Sequence, residues 1–125
     1  MADFHQQGPI TTLHDLGSIG QDHLEAMLRE ATLDYRLGLI LPVTAADMRA
    51  APFKKIVREL QGADYIEHVI VVLGIAPEVA DYREAKEKLL PLGAKAEVLW
   101  TDGERLQNLY EELIATGFNL AVPGK

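Results

Sequence analysis

The sequence predicts an α/β fold, a mostly parallel open sheet with helices on both faces. Three short apolar runs, Leu37–Thr44, His68–Gly74 and Ala96–Trp100, alternate with longer segments of helical period. Strands and helices alternating at this spacing imply right-handed crossovers and parallel strands. The first run, Leu-Gly-Leu-Ile-Leu-Pro-Val-Thr, lacks polar alternation, the pattern of a strand covered on both faces. Pro42 argues against a buried helix there, because proline lacks an N–H and pushes Leu41 towards an extended conformation. It is expected to end the strand in a turn at the carboxyl edge, where open α/β sheets bind ligands.

The elements follow in order. Residues 3–20 are punctuated by Gly8-Pro9, Gly17 and Gly20 and read as an irregular arm, anchored by Phe4, Ile10, Leu13, Leu16 and Ile19. His5 and His14 in this arm have no carboxylate at ligand spacing and read as solvated. Gln21–Leu33 carries Leu24, Met27, Leu28 and Ala31 on one helical stripe, with a Glu25–Arg29 pair outside. After the first strand, a helix starts near Ala46 and restarts at Pro52, with Phe53, Ile56, Val57 and Leu60 inward and Gly62 as the stop. His68–Gly74 is β-branched and uninterrupted, a second strand. Asp81–Leu90 turns Tyr82, Ala85, Leu89 and Leu90 inward, and Pro91-Leu92-Gly93 ends it. Ala96–Trp100 is the third strand; Glu104–Ala115 is a helix through Leu106, Leu109, Tyr110, Leu113 and Ile114, capped by Gly117. Residues 119–122 are extended. The expected core is Leu39, Ile40, Leu41, Ile70, Val71, Val72, Val98 and Leu99.

Composition narrows the function. The chain has 125 residues, 48% apolar and 25% charged, ordinary for one globular domain. It has no cysteine, which removes disulfides and thiolate metal sites. A net charge of -7 argues against a general affinity for nucleic acid. No apolar stretch approaches a membrane span, and the N-terminus lacks the features of a signal peptide, so a cytoplasmic protein is expected. The dinucleotide fingerprint, the Walker lysine loop, the His-Glu-x-x-His motif and the nucleophile elbow are all missing.

Candidate site residues lie at strand ends. The Pro42-Val43-Thr44 backbone can face a ligand, while Thr44 or Thr101 can equally cap a helix. Gly74 permits close approach or merely marks a turn. Asp102 can accept a hydrogen bond from a base or ribose, or N-cap the helix at Glu104. Asp102-Gly103-Glu104 is only a weak divalent-cation pair, and Gly124-Lys125 can place a cation against phosphate.

Together, Leu39-Ile40-Leu41-Pro42, the Val69–Leu73 strand, Leu99-Trp100-Thr101-Asp102-Gly103 with Arg105-Leu106, and Pro123-Gly124-Lys125 resemble the nucleotide-binding half of a GT-A-type glycosyltransferase. The nearest likeness is to the retaining group containing glucosyl-3-phosphoglycerate synthase and mannosylglycerate-forming enzymes, over Leu37–Lys125. The resemblance implies a Rossmann-like half of a GT-A fold in residues 37–125, truncated at its C-terminal end, behind an arm and helix in residues 1–36. It implies a nucleotide-diphosphate sugar as the ligand, held by Pro42, Val43, Thr44, Asp47, Gly74, Asp102, Gly124 and Lys125, the lysine approaching the diphosphate.

The sequence departs from the family where Ala45 and Ala46 replace an acidic residue after the proline, leaving Asp47, and where Gly74 replaces an aspartate that recognises uracil. It also contains no Asp-x-Asp motif. The divalent cation (Mg or Mn) of the intact enzyme is therefore expected to be bound elsewhere, and this chain alone to be inactive. No catalytic residue is assigned, and a homodimer is left open. The alternative is a non-catalytic flavodoxin-like or receiver-like module; Asp102 supports it, and the lack of an acidic pair at Leu41-Pro42 opposes it.

Overall fold

The computed structural model describes residues 20–119. The arm up to residue 19 and the final stretch from residue 120, with Gly124 and Lys125, lie outside the described residues. The chain divides into two compact units, Met1–Arg36 and Leu37–Lys125. In the first, helix α1 (Gln21–Ala31) is braced by Gln21 and Arg29, which both donate to Glu25, at 3.1 and 3.3 Å. It ends short of Leu33 because Thr32 Oγ1 donates to the Leu28 carbonyl at 2.9 Å and closes the last turn.

The second unit runs β1 (Gly38–Thr44), α2 (Ala45–Arg49), α3 (Ala51–Gly62), β2 (His68–Gly74), α4 (Val79–Leu89), a 3-10 segment (Leu90–Lys95), β3 (Ala96–Trp100) and α5 (Glu104–Ala115). The three strands form a parallel sheet in the order β1-β2-β3, flanked by helices, which is the α/β fold expected. Pro42 does not end its strand. It pairs with Val72 in register, and β1 continues to Thr44 opposite Gly74. Among the described residues β1 pairs only with β2, and an edge strand tolerates a residue without an N–H.

The core is narrower than the apolar runs imply. Val69, Val71 and Leu73 are fully buried, and their register partners Leu39, Leu41 and Val43 on one side and Ala96, Val98 and Trp100 on the other share that face. Met48, Phe53, Val57, Leu60, Ala85 and Leu89 seal it. The alternate residues do not join this core: Ile40 is 67% and Leu99 42% exposed, and Ile70 and Val72 are half-buried. Successive strand side chains point to opposite faces, so an apolar run can have one deeply sealed set and one set in partial contact with water. Leu90 is likewise turned out, at 73% exposure, because the helix gives way there to the 3-10 segment. At the far end, Gly117 (φ 92°) allows a Schellman closure of α5, with Gly117 N–H donating to Ile114 O and Phe118 N–H to Leu113 O.

Leu73→Ala should cost about 2–5 kcal/mol in urea unfolding, whereas Ile40→Ala should cost less than about 1 kcal/mol. Equal losses would mean that both sheet faces are sealed.

Candidate functional site

The three strands end together, and residues at or just beyond their ends line one cleft of ≈ 370 Å³. It contains Pro42, Val43, Thr44, Asp47, Gly74 and Asp102, six of the eight positions that the sequence suggests, together with Val72, Ile75 and Thr101. Gly124 and Lys125 lie outside the described residues.

Thr44 is the N-cap of α2 and forms a capping box with Asp47: Asp47 N–H donates to Thr44 Oγ1, and Thr44 N–H donates to the Asp47 carboxylate, both at 3.1 Å. The Thr44 hydroxyl also donates to that carboxylate at 2.7 Å. These donors hold the Asp47 carboxyl below its ordinary value. Asp47 is thus a fixed anion on the cleft wall.

Across the cleft, Thr101 fastens β3 to β2, its N–H and its hydroxyl both donating to Leu73 O at 2.9 Å. Asp102 does not cap α5. Gly103 is the N-cap, without a side-chain bond, because the Asp102 carboxylate turns back to accept Ala76 N–H at 2.7 Å. Trp100 Nε1 donates to Ala76 O, also at 2.7 Å, so both backbone groups of a fully buried residue are held from β3. Trp100 stacks on Tyr82, centroids 5.2 Å apart, and its ring would lie 2.7 Å from a Cβ at Gly103. The glycine in Trp-Thr-Asp-Gly is therefore needed for room beside the indole.

Sequence reasoning missed Ile75. It adopts φ 49°, a left-handed conformation that is unusual for a β-branched residue, and it is 71% exposed at the cleft. Strain of this kind persists only where neighbours over-determine the backbone. Here Ala76, the next residue, supplies the constraint. The one sequence signal was Gly74-Ile75-Ala76-Pro77 straight after a strand.

Behind the cleft, Arg49 at the end of α2 pairs with Asp81 and Glu84 of α4; its Nε donates to Glu84 at 2.9 Å. Asp81 is buried, and it also accepts Glu78 N–H at 3.4 Å. The guanidinium holds the Glu84 carboxyl below its ordinary value. Asp47 and Asp102 are the two carboxylates of the cleft, and among the described residues no group of three metal-ligating side chains forms.

No family model matches the chain, and no solved structure matches it. Two curated relatives do. The chain is 33% identical over 125 residues to a glucosyl-3-phosphoglycerate synthase of Persephonella marina, covering all of this chain and 31% of the relative. It is 27% identical over 118 residues to a glucosyl-3-phosphoglycerate synthase of Methanococcoides burtonii, covering 94% of this chain and 28% of the relative. The chain thus spans about a third of the length of the curated relatives it matches. Both names fall in the group that the sequence resembles. The match extends through the N-terminal arm, further than the resemblance over Leu37–Lys125.

Ile75→Asn should leave stability unchanged or raise it by up to about 1 kcal/mol, since asparagine tolerates this conformation and little apolar burial is lost. A loss above about 1 kcal/mol in urea unfolding would show that the isoleucine side chain itself is needed. The depressed carboxyls fix the pH dependence. A group whose folded value is lowered stabilises above its unfolded value, and that contribution is lost as pH falls through the folded value. Stability should therefore decline below about pH 4, and Arg49→Gln should flatten that decline by removing the partner of Glu84. Urea midpoints followed from neutral to acid pH measure this; parallel profiles for the two proteins would dismiss the pair as its source.

Proposed function

We propose that this chain is the donor-nucleotide-binding part of a nucleotide-sugar-dependent glycosyltransferase of the kind that makes glucosyl-3-phosphoglycerate. The similarity to two proteins of that name, over all of this chain for one and 94% of it for the other, carries the proposal. The convergence of Pro42, Val43, Thr44, Asp47, Gly74 and Asp102 on one cleft supports it. Sugar transfer is proposed for a protein of the relatives' length, and donor-nucleotide binding for this chain.

The chemistry of the cleft suits a nucleoside better than bare phosphate. Its fixed charge is negative, from Asp47 and Asp102, and carboxylates accept hydrogen bonds from ribose hydroxyls and base N–H groups. Pro42, Val43 and the exposed Ile75 offer apolar surface for a base. Gly74 lets a ligand approach the end of β2, since a Cβ there would meet only Thr101 Oγ1, at 3.4 Å. The diphosphate is assigned to Lys125, whose compact ammonium suits a phosphate oxygen. A divalent cation in the longer enzyme would stabilise charge on the leaving diphosphate, with ligands from outside the described residues.

Titrating the isotope-labelled chain with uridine or guanosine diphosphate should shift the amides of Val43, Thr44, Gly74 and Asp102. Shifts confined to the opposite sheet edge, around Gly62 and Lys95, would refute the placement.

A further inference from the structure

A second concavity, a groove of ≈ 500 Å³, is bounded by α3 and the ends of α2 and α4, and it shares no lining residue with the strand-edge cleft. Its charge is the reverse of the chain's. The protein has 12 lysines and arginines against 19 aspartates and glutamates. Yet Arg49, Lys54, Arg58 and Lys88 line this groove with a single carboxylate, Glu87. Phe53 and Val57, only 3% and 5% exposed, give it an apolar floor.

The cations differ in how they are held. Lys54 and Arg58 stand one turn apart on α3, exposed, with no ion pair to any described residue. Arg49 is fixed: its Nε and Nη2 are held by Glu84 and Asp81, which leaves Nη1 to a ligand. A guanidinium already immobilised loses little entropy when it binds. Lys88 is steadied by Glu84 at 3.4 Å. The first turn of α3 also opens here, since Ala50 and Ala51 line the groove; Pro52 has no N–H and Phe53 N–H donates to Ala50 O at 3.2 Å, so the turn offers the Ala51 N–H.

We propose that this groove binds a small organic phosphate, with its charged head among Arg49, Lys54, Arg58 and the first turn of α3, and its carbon body on Phe53 and Val57. The volume lies in the range of small-molecule sites. A phosphate monoester carries up to two charges and three terminal oxygens, enough for three cationic side chains and the Ala51 N–H; a carboxylate has two oxygens and one charge. A nucleic acid or an acidic protein surface, spanning more of the molecule than a small ligand does, would meet the chain's net charge of -7. The proposal goes beyond donor binding, and its probe and reporting residues are separate from those of the cleft.

Phenyl phosphate is the probe, titrated into the isotope-labelled 125-residue chain. Saturable shifts are expected at the amides of Ala51, Lys54, Arg58 and Lys88. Affinity should fall about tenfold or more in the Lys54→Gln, Arg58→Gln double variant, the loss of one or two charge-assisted hydrogen bonds. Both side chains are exposed, and an unchanged circular dichroism spectrum would confirm that the variant folds. Inorganic phosphate should shift the same amides more weakly, and phenol should not shift them. The proposal fails if phenyl phosphate produces no saturable shift, if the double variant binds it equally well, or if phenol binds as tightly. Inorganic phosphate matching phenyl phosphate would remove the apolar floor from the site. Tighter binding of a polyglutamate peptide at these amides would reassign the groove to an acidic protein partner.

Discussion

The carboxyl edge of this sheet depends on the double anchoring of Ala76. Trp100 Nε1 holds its carbonyl and the Asp102 carboxylate holds its N–H, so the loop leaving β2 is bolted to the loop leaving β3. Each bond satisfies a backbone group of a residue with no access to water, and an unsatisfied group there would cost about 1–3 kcal/mol. The consequences spread from this point. Ile75 is forced into a left-handed conformation and out to solvent, Trp100 is placed to stack on Tyr82, and residue 103 has no room for a side chain.

Much of this was legible in the sequence as position and little of it as role. Strand type and the clustering of Pro42, Thr44, Gly74 and Asp102 follow from three apolar runs separated by helical periods, because parallel topology brings all strand ends to one edge; the order β1-β2-β3 does not. Trp-Thr-Asp-Gly was visible as a word, but its meaning was not. The partner of Asp102 is 26 residues away in sequence, and nothing local distinguishes a carboxylate that caps its own helix from one that reaches another loop. Ile75 was hidden for a related reason: isoleucine gives no warning of a positive φ, since the constraint lies in its neighbour's bonds.

The misreadings of Pro42 and of the core have different origins. An apolar run was taken to demand burial of every residue, whereas the pleat makes each strand two half-strands with separate surroundings. On β2 one half, Val69, Val71 and Leu73, is fully enclosed, while Ile70 and Val72 beside them are only half-buried. Proline is acceptable in β1 because the strand is an edge of the described sheet, and edge or centre is a property of topology that a strand's own residues do not encode.

The short helix α2 links the two concavities. Five residues cannot sustain a helix by their own hydrogen bonds, so its place must be set by tertiary contacts. Three consecutive residues hold it, one through the local cap and two through tertiary contacts. Asp47 closes the capping box at the strand-edge cleft, Met48 is 1% exposed in the core, and Arg49 is tied to Asp81 and Glu84 beside the cationic groove. A shift of α2 would disturb cap, core and ion pairs together. Two concavities of opposite charge therefore meet at one short helix, with the buried Met48 standing between the carboxylate of one and the guanidinium of the other in sequence.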